Sequence, residues 1–240
     1  MRLQRDMPCR RRLELEVDDV LLLLPAGLRP VKDVLFGARE VAAWHAREPR
    51  LCLRIVGPEL DSAYAAQVRA ALQELGSPRG VAYVGALPQH ELHAAMRQAR
   101  CARAVNLNHP SCAGTRPTDE CPALQARLVL NTSTSEGMCN SLLEAMLVGT
   151  PVLARANPGN AALLGHDGTM GLLFETADEL VQRAEVLLAD TALGARLAQA
   201  AAEHVTQHHS AQAETEGYRA ALQLALDLPK VMVDTRGGHS

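Results

Sequence analysis

The sequence predicts an α/β fold, a Rossmann-like doubly wound parallel sheet of about six strands covered by helices on both faces. Three observations predict it. Short continuous apolar runs recur, as at residues 20–24 and 51–56, and runs of that length bounded by Gly or Pro mark strands buried on both faces. Longer segments with helical spacing of apolar side chains lie between them, so strand and helix alternate. The strands end in small turn residues, Pro25-Ala26-Gly27, Gly57-Pro58 and Gly85, which suits short connections and right-handed crossovers.

Residues 1–16, MRLQRDMPCRRRLELE, are Arg-rich and are expected to form a disordered basic lead. They contain no apolar stretch of the kind a secretory signal needs. Residues 19–25 read as the first strand, 26–33 as a loop, and the next residues to about Arg47 as a helix. Arg29 and Lys32 fall where strand becomes helix, the rim on which open α/β sheets bind ligands. Two cations there suit a diphosphate, Arg by a forked contact and Lys as a point charge. A cation at a helix start opposes the dipole, which weighs against a purely structural reason for them. Residues 51–56, 62–75, 81–84 and 89–100 follow as strand, helix, strand and helix. Gly57 and Gly85 end the two strands. They admit either the close approach of a base or ribose, or turn geometry alone.

Residues 101–127 break the pattern. CARAVNLNHPSCAGTRPTDECPALQAR has neither helical nor strand period, and a loop of that length is uncommon inside a compact domain. It reads as an irregular insertion. A metal site from Cys101, His109, Cys112 and Cys121 is the sharper alternative, but their spacing fits no zinc pattern. No metal is expected.

The densest signal is NTSTSEGMCNSLLEAMLVGTPVLA, residues 131–154. It reads as a strand end, a small polar turn, a helix over residues 140–148 and another strand over residues 151–154. Asn140 or Ser141 is placed to cap the helix, and Gly149 with Pro151 to end it. Glu136 lies in the turn and Glu144 within the helix. The backbone N–H groups of Gly137, Met138 and Cys139 lead into a helix N-terminus, where free donors and the dipole favour an anion such as a diphosphate. Carboxylates on either side accept hydrogen bonds from hydroxyls. A ligand with hydroxyls flanking a diphosphate is a nucleotide sugar. The bland alternative makes Glu136 a solvated turn residue and Glu144 a helix-surface residue.

Beyond this motif, Asn160 is placed to cap a short helix, residues 171–174 read as the last strand, and residues 179–188, 193–205 and 212–226 read as amphipathic helices. His204, His208 and His209 fit a solvated helix end. Residues 229–240 read as a frayed tail, leaving residues 17–228 as one domain. Net charge is −3, and the aromatic share is only 2%, so neither a basic surface nor stacking platforms point to nucleic acid. Apolar runs are too short to span a bilayer. Six cysteines occur without a C-x-x-C pair, consistent with reduced thiols in a cytoplasmic chain. Neither G-x-G-x-x-G after a strand nor a Walker-type Gly-Lys-Ser is present, which argues against a dinucleotide oxidoreductase or a P-loop nucleotidase.

The string S-E-G-M-x-x-S-L-L-E-A-M-x-x-G-x-P-V-L-A resembles the donor-site signature of group 1 retaining glycosyltransferases of the GT-B fold. LPAGLRPVKD, LCLRIVGPELD and PVLARANPGNAALLGHDGTMGLLF extend the resemblance over most of the chain. It implies the C-terminal, nucleotide-sugar-binding half of a GT-B fold, with the acceptor half absent or reduced to the first 16 residues. The implied reaction transfers a hexosyl group from a nucleotide sugar to an acceptor hydroxyl with retention, without metal or cofactor. The implied roles give Lys32, Arg29 and Glu136 to the catalytic group. Gly137, Met138, Cys139, Glu144, Gly57 and Gly85 go to donor binding, with Glu136 on the hexose and Glu144 on the ribose. The family's commoner arginine position is occupied here by Gly27, and Arg29 stands in for it. The alternative is a non-catalytic nucleotide-sugar-binding module or truncated isoform.

Overall fold

The computed structural model describes residues 12–16, 18–101, 126–165 and 167–227. These divide into two compact units, one ending at Glu203 and the other beginning at His204. The first holds a six-stranded sheet in the order β3-β2-β1-β4-β5-β6 with every neighbouring pair parallel. The strands are β1 (Val20–Pro25), β2 (Leu51–Val56), β3 (Val81–Tyr83), β4 (Ala126–Asn131), β5 (Val152–Arg155) and β6 (Leu172–Phe174). The helices are α1 (Ala38–Arg47), α2 (Ser62–Leu75), α3 (Gln89–Cys101), α4 (Asn140–Leu147), α5 (Pro158–Leu164), α6 (Ala177–Ala189), α7 (Thr191–His208) and α8 (Ala211–Asp227). The second unit holds the end of α7 and all of α8.

The strands are mostly apolar because both faces are covered. All six residues of β2 are buried, and five of six in β1. Leu22, Leu24, Leu53, Ile55, Leu128, Leu130 and Leu153 form one core cluster with Val41 and Trp44 of α1 and Leu180 of α6. α2 begins where Asp61 accepts a hydrogen bond from the Tyr64 N–H at 2.9 Å and ends at left-handed Gly76, as its capping residues require.

The helix expected directly after residue 33 begins later. Pro30–Lys32 makes one 3-10 turn, Asp33 adopts a left-handed backbone with φ 41°, and α1 opens only at Ala38 after Gly37, φ 74°. Pro30 lacks an N–H, and a left-handed residue interrupts α-helical hydrogen bonding. Lys32 and Arg29 therefore do not sit at the start of α1, and they do not oppose its dipole.

The basic lead also differs from expectation at its end. Leu13 is fully buried. The guanidinium of Arg54, itself fully buried in β2, donates to the carbonyls of Leu13 at 2.7 Å and Glu14 at 3.2 Å. The segment expected to be an insertion is bounded more tightly, since α3 includes Cys101 and β4 opens at Ala126. Residues 102–125, with His109, Cys112 and Cys121 of the metal alternative, lie outside the described residues, as does the tail over residues 229–240.

Candidate active site

In the strand order β3-β2-β1-β4-β5-β6, the chain runs outward from β1 in one direction and from β4 in the other. The crevice at the carboxyl ends of β1 and β4 is thus the topological switch point, where open α/β sheets bind ligands. Both candidate loops leave from there. The loop after β1 carries Arg29 and Lys32, and the loop after β4 carries residues 132–139.

The two loops are laced together. Thr134 N–H donates to the Val31 carbonyl at 2.9 Å, and Thr132 Oγ1 to the Lys32 carbonyl at 2.9 Å. Arg155, at the end of β5, donates to the Asp33 carboxylate at 2.7 Å and lies over the Phe36 ring, 4.2 Å from its centroid. Phe36 in turn stacks on Phe174 of β6. These bonds hold Asp33 in its left-handed conformation, a geometry that a non-glycine residue keeps only when its surroundings impose it.

So held, Lys32 donates to Glu136 Oε1, with the two side chains 15% and 10% exposed. Burial pushes the Glu136 carboxyl up. Hydrogen bonds from Lys32, Ser133 and Asn131 and the charge of Lys32 outweigh that and hold it below its ordinary value. The result is an ionised carboxylate beside a cation at the mouth of the crevice. Arg29 is exposed and makes no ion pair with any described residue.

α4 begins close by. Its cap is Cys139, not Asn140 or Ser141, and the Cys139 carbonyl accepts from the N–H groups of Leu142 and Leu143 at 3.1 Å. The Cys139 thiol is buried, within 3.1 Å of Asn131 Nδ2 and 3.2 Å of Ser141 Oγ. The Cys139 side chain makes no capping hydrogen bond. A Cβ on Gly137 would meet nothing within 4 Å, and Met138 is 55% exposed. The backbone N–H groups of Gly137, Met138 and Cys139 donate to no described residue. Ser141 Oγ lies 3.4 Å from the Pro25 carbonyl, which seats the start of α4 over the end of β1.

Glu144 is not joined to this pair. It points at α3, with Oε2 3.2 Å from His93 Nε2 in a contact not aligned as a hydrogen bond. Gly57 and Gly85 lie on the β2–β3 side of the same edge, where the Gly57 N–H donates to the Gly85 carbonyl at 3.0 Å. A Cβ on Gly57 would stand 2.1 Å from the Ala26 carbonyl oxygen, whereas Gly85, φ 79°, has nothing within 4 Å. The chain's own backbone accounts for the close approach at Gly57, and turn conformation for the glycine at 85.

Sequence reasoning missed four contributors. Asn131, Asn157 and Asn160 are buried and bond to one another or to the loop after β4. Asn157, rather than Asn160, caps α5, accepting the Asn160 N–H at 2.9 Å. Arg155 is the fourth. The Asn-Pro-Gly-Asn string carried the capping signal one residue before Pro158; nothing in the sequence showed which loop the side chains meet.

The fold, with its crevice at the switch point, is of the glycosyltransferase class, and comparison with known proteins shows the family. The family model described as glycosyl transferase-like matches residues 38–218, and the chain belongs to that family. The match begins at α1, after the loop that carries Arg29 and Lys32. Glycosyltransferase 1 domain-containing protein 1 of Xenopus tropicalis is 34% identical over 199 residues, covering 83% of this chain and 49% of that protein. The chain spans about half the length of that relative. Among solved structures, HepE of Anabaena in complex with UDP and glucose matches with TM-score 0.66 and 22% identity, over 91% of this chain and 51% of that one. A glycosyltransferase from Rickettsia africae matches with TM-score 0.69 and 13% identity, over 94% and 53%. The C-terminal domain of the group 1 protein LpcC from Francisella tularensis matches with TM-score 0.58 and 13% identity, over 87% and 94%. The fold is the C-terminal half of GT-B. Among the described residues, no helix is long and apolar enough to cross a membrane.

Proposed function

We propose that the chain binds a nucleotide sugar at the β1–β4 crevice and provides the donor side of a retaining hexosyl transfer to an acceptor hydroxyl. The observation that carries this reading is the contact between Lys32 and the ionised Glu136 across the switch point. A diphosphate entering the crevice meets Lys32, Arg29 and the N–H groups of residues 137–139, the last two without partners among the described residues. In transfer, the bond from the anomeric carbon to the phosphate oxygen breaks and its electron pair stays on the diphosphate. The acceptor oxygen bonds to the same face of that carbon, and its proton passes to the departing phosphate oxygen. Lys32 and Arg29 stabilise the charge that develops there, the largest electrostatic demand of such a step. Glu136 accepts hydrogen bonds from hexose hydroxyls, and Glu144, released from His93, from those of the ribose. Gly57 and Gly85 shape the rim on the base side. This chemistry needs no metal or cofactor. The UDP and glucose held by HepE, a neighbour in fold, support the ligand class.

Thermal-shift and calorimetric titration with UDP-, GDP- and ADP-glucose tests it. A donor at one hundred times its dissociation constant adds about 2.7 kcal/mol of stability, and Lys32→Ala should weaken binding tenfold or more, as expected for about 1.5–3 kcal/mol in a charge-assisted contact. No stabilisation by any of the three would exclude the reading. A second reading is that these 240 residues bind the donor without transferring it. Binding with no transfer or donor hydrolysis in a turnover assay would select it.

A further inference from the structure

The turn that opens α5 reaches the candidate hexose carboxylate through buried amides whose polarity is determined by their partners. Asn131, at the end of β4, is 3% exposed, and Asn160, in α5, is fully buried. Asn131 Oδ1 accepts twice, from the Ser133 N–H at 3.1 Å and from Asn160 Nδ2 at 2.9 Å. Asn160 Nδ2 also donates to the Arg155 carbonyl at 2.9 Å. Turning the Asn160 amide over would set its oxygen against two other oxygens. Turning Asn131 over would set its NH2 against two donors. Neither exchange is compatible with what an amide can donate and accept.

With its oxygen committed inward, Asn131 has only its NH2 group to present outward. That group reaches Glu136 Oε1 at 3.2 Å and Cys139 Sγ at 3.1 Å. The Asn160 backbone is fixed in turn by Asn157, whose Oδ1 accepts the Asn160 N–H and whose Nδ2 donates to the Ser133 carbonyl, both at 2.9 Å. Asn160 Oδ1 is buried without a partner among the described residues. An unpaired buried acceptor destabilises a fold, so what an amide contributes at this position is its two donated bonds. Gly159 brings the turn close: a Cβ there would lie 2.1 Å from the Glu136 carbonyl oxygen.

We propose that Asn131 and Asn160 are positioning residues for hexose recognition: Asn160 sets the amide of Asn131, and Asn131 aims the Glu136 carboxylate at the sugar. The nucleotide is held by other groups. The inference rests on the reading of Glu136 as the hexose-binding group.

The test is calorimetric titration of the full chain with UDP and UDP-glucose, or the GDP or ADP pair if one of those binds more tightly, read as the ratio of the two affinities. Asn131→Ala and Asn160→Asp should each lower the preference for the sugar-bearing ligand about tenfold, the order expected for a hydrogen bond to a charged group, and leave the affinity for the bare nucleotide unchanged. In a Glu136→Gln background neither should lower the ratio further. Asn131→Asp, which keeps the shape and removes the donor, gives the same answer if Asn131→Ala does not fold. An unchanged ratio in the single variants overturns the proposal, as does a loss of bare-nucleotide affinity that persists in the Glu136→Gln background. If the wild-type chain binds none of the nucleotides, the donor-site reading fails, and this inference fails with it. If it binds nucleotide and sugar nucleotide alike and Glu136→Gln changes nothing, only the hexose role is lost.

Discussion

Glu136 is subject to two opposed influences, burial that raises its pKa and the Lys32, Ser133 and Asn131 contacts that lower it, and the second prevails. A carboxyl held below its unfolded value, near 4.5, stabilises the fold above that pH. The contribution is lost as pH falls through the lower folded value. Glu136→Gln should therefore cost about 1.5–3 kcal/mol at neutral pH, with the difference from wild type narrowing as pH drops below the ordinary carboxyl range. Urea denaturation at neutral and acid pH reads this directly. Lys32 and Glu136 were legible because their residue types suit a diphosphate rim and an Ser-Glu-Gly turn. Asn131 and Asn160 were not. In a sequence, asparagine beside Gly or Pro reads as turn chemistry, and the direction of an amide is decided by the partners it meets after folding.

Helix α5 has seven residues, yet it determines the loop after β4, because Gly159 lets its first turn rest on the Glu136 and Gly137 backbone. Gly159→Ala puts a methyl 2.1 Å from the Glu136 carbonyl oxygen, and that neighbour is backbone with no rotamer to yield. The variant should be destabilised by about 1–3 kcal/mol and should bind nucleotide sugar more weakly, checked by thermal unfolding and calorimetry on the same sample. Ser62–Leu75 and Leu51–Val56 match the sequence reading to the residue, since a clean apolar period lay between Asp or Gly signals. The helix after β1 did not. Local composition favoured it, and the left-handed Asp33, fastened by Arg155 from the far side of the crevice, ended that possibility.

At the scale of the molecule, Arg54 ties distant segments together. Its guanidinium donates to carbonyls of Leu13, Glu14, Leu53 and Arg79, and burial lowers its pKa below the ordinary arginine value. No carboxylate pairs with it directly in these contacts, so its replacement leaves carbonyls unpaired without freeing a buried anion. Arg54→Met should cost about 3 kcal/mol or more, and amide exchange should rise at residues 13–16 and beside Arg79. Beside it, burial pushes the Cys52 thiol up to about 11, so Cys52 should resist alkylation at neutral pH until the chain unfolds.

The sequence by itself determined the parallel α/β class, the alternation of elements and the loops that hold Lys32 and Glu136. Those follow from hydrophobic period and turn chemistry, which act over a few neighbouring residues. Only the tertiary structure decided that Lys32 meets Glu136, that Glu144 turns to His93, that Arg54 captures the lead, and which way the Asn131 amide faces. Each of these joins side chains or backbone far apart in the chain, and such contacts are chosen by strand order and packing rather than by local pattern.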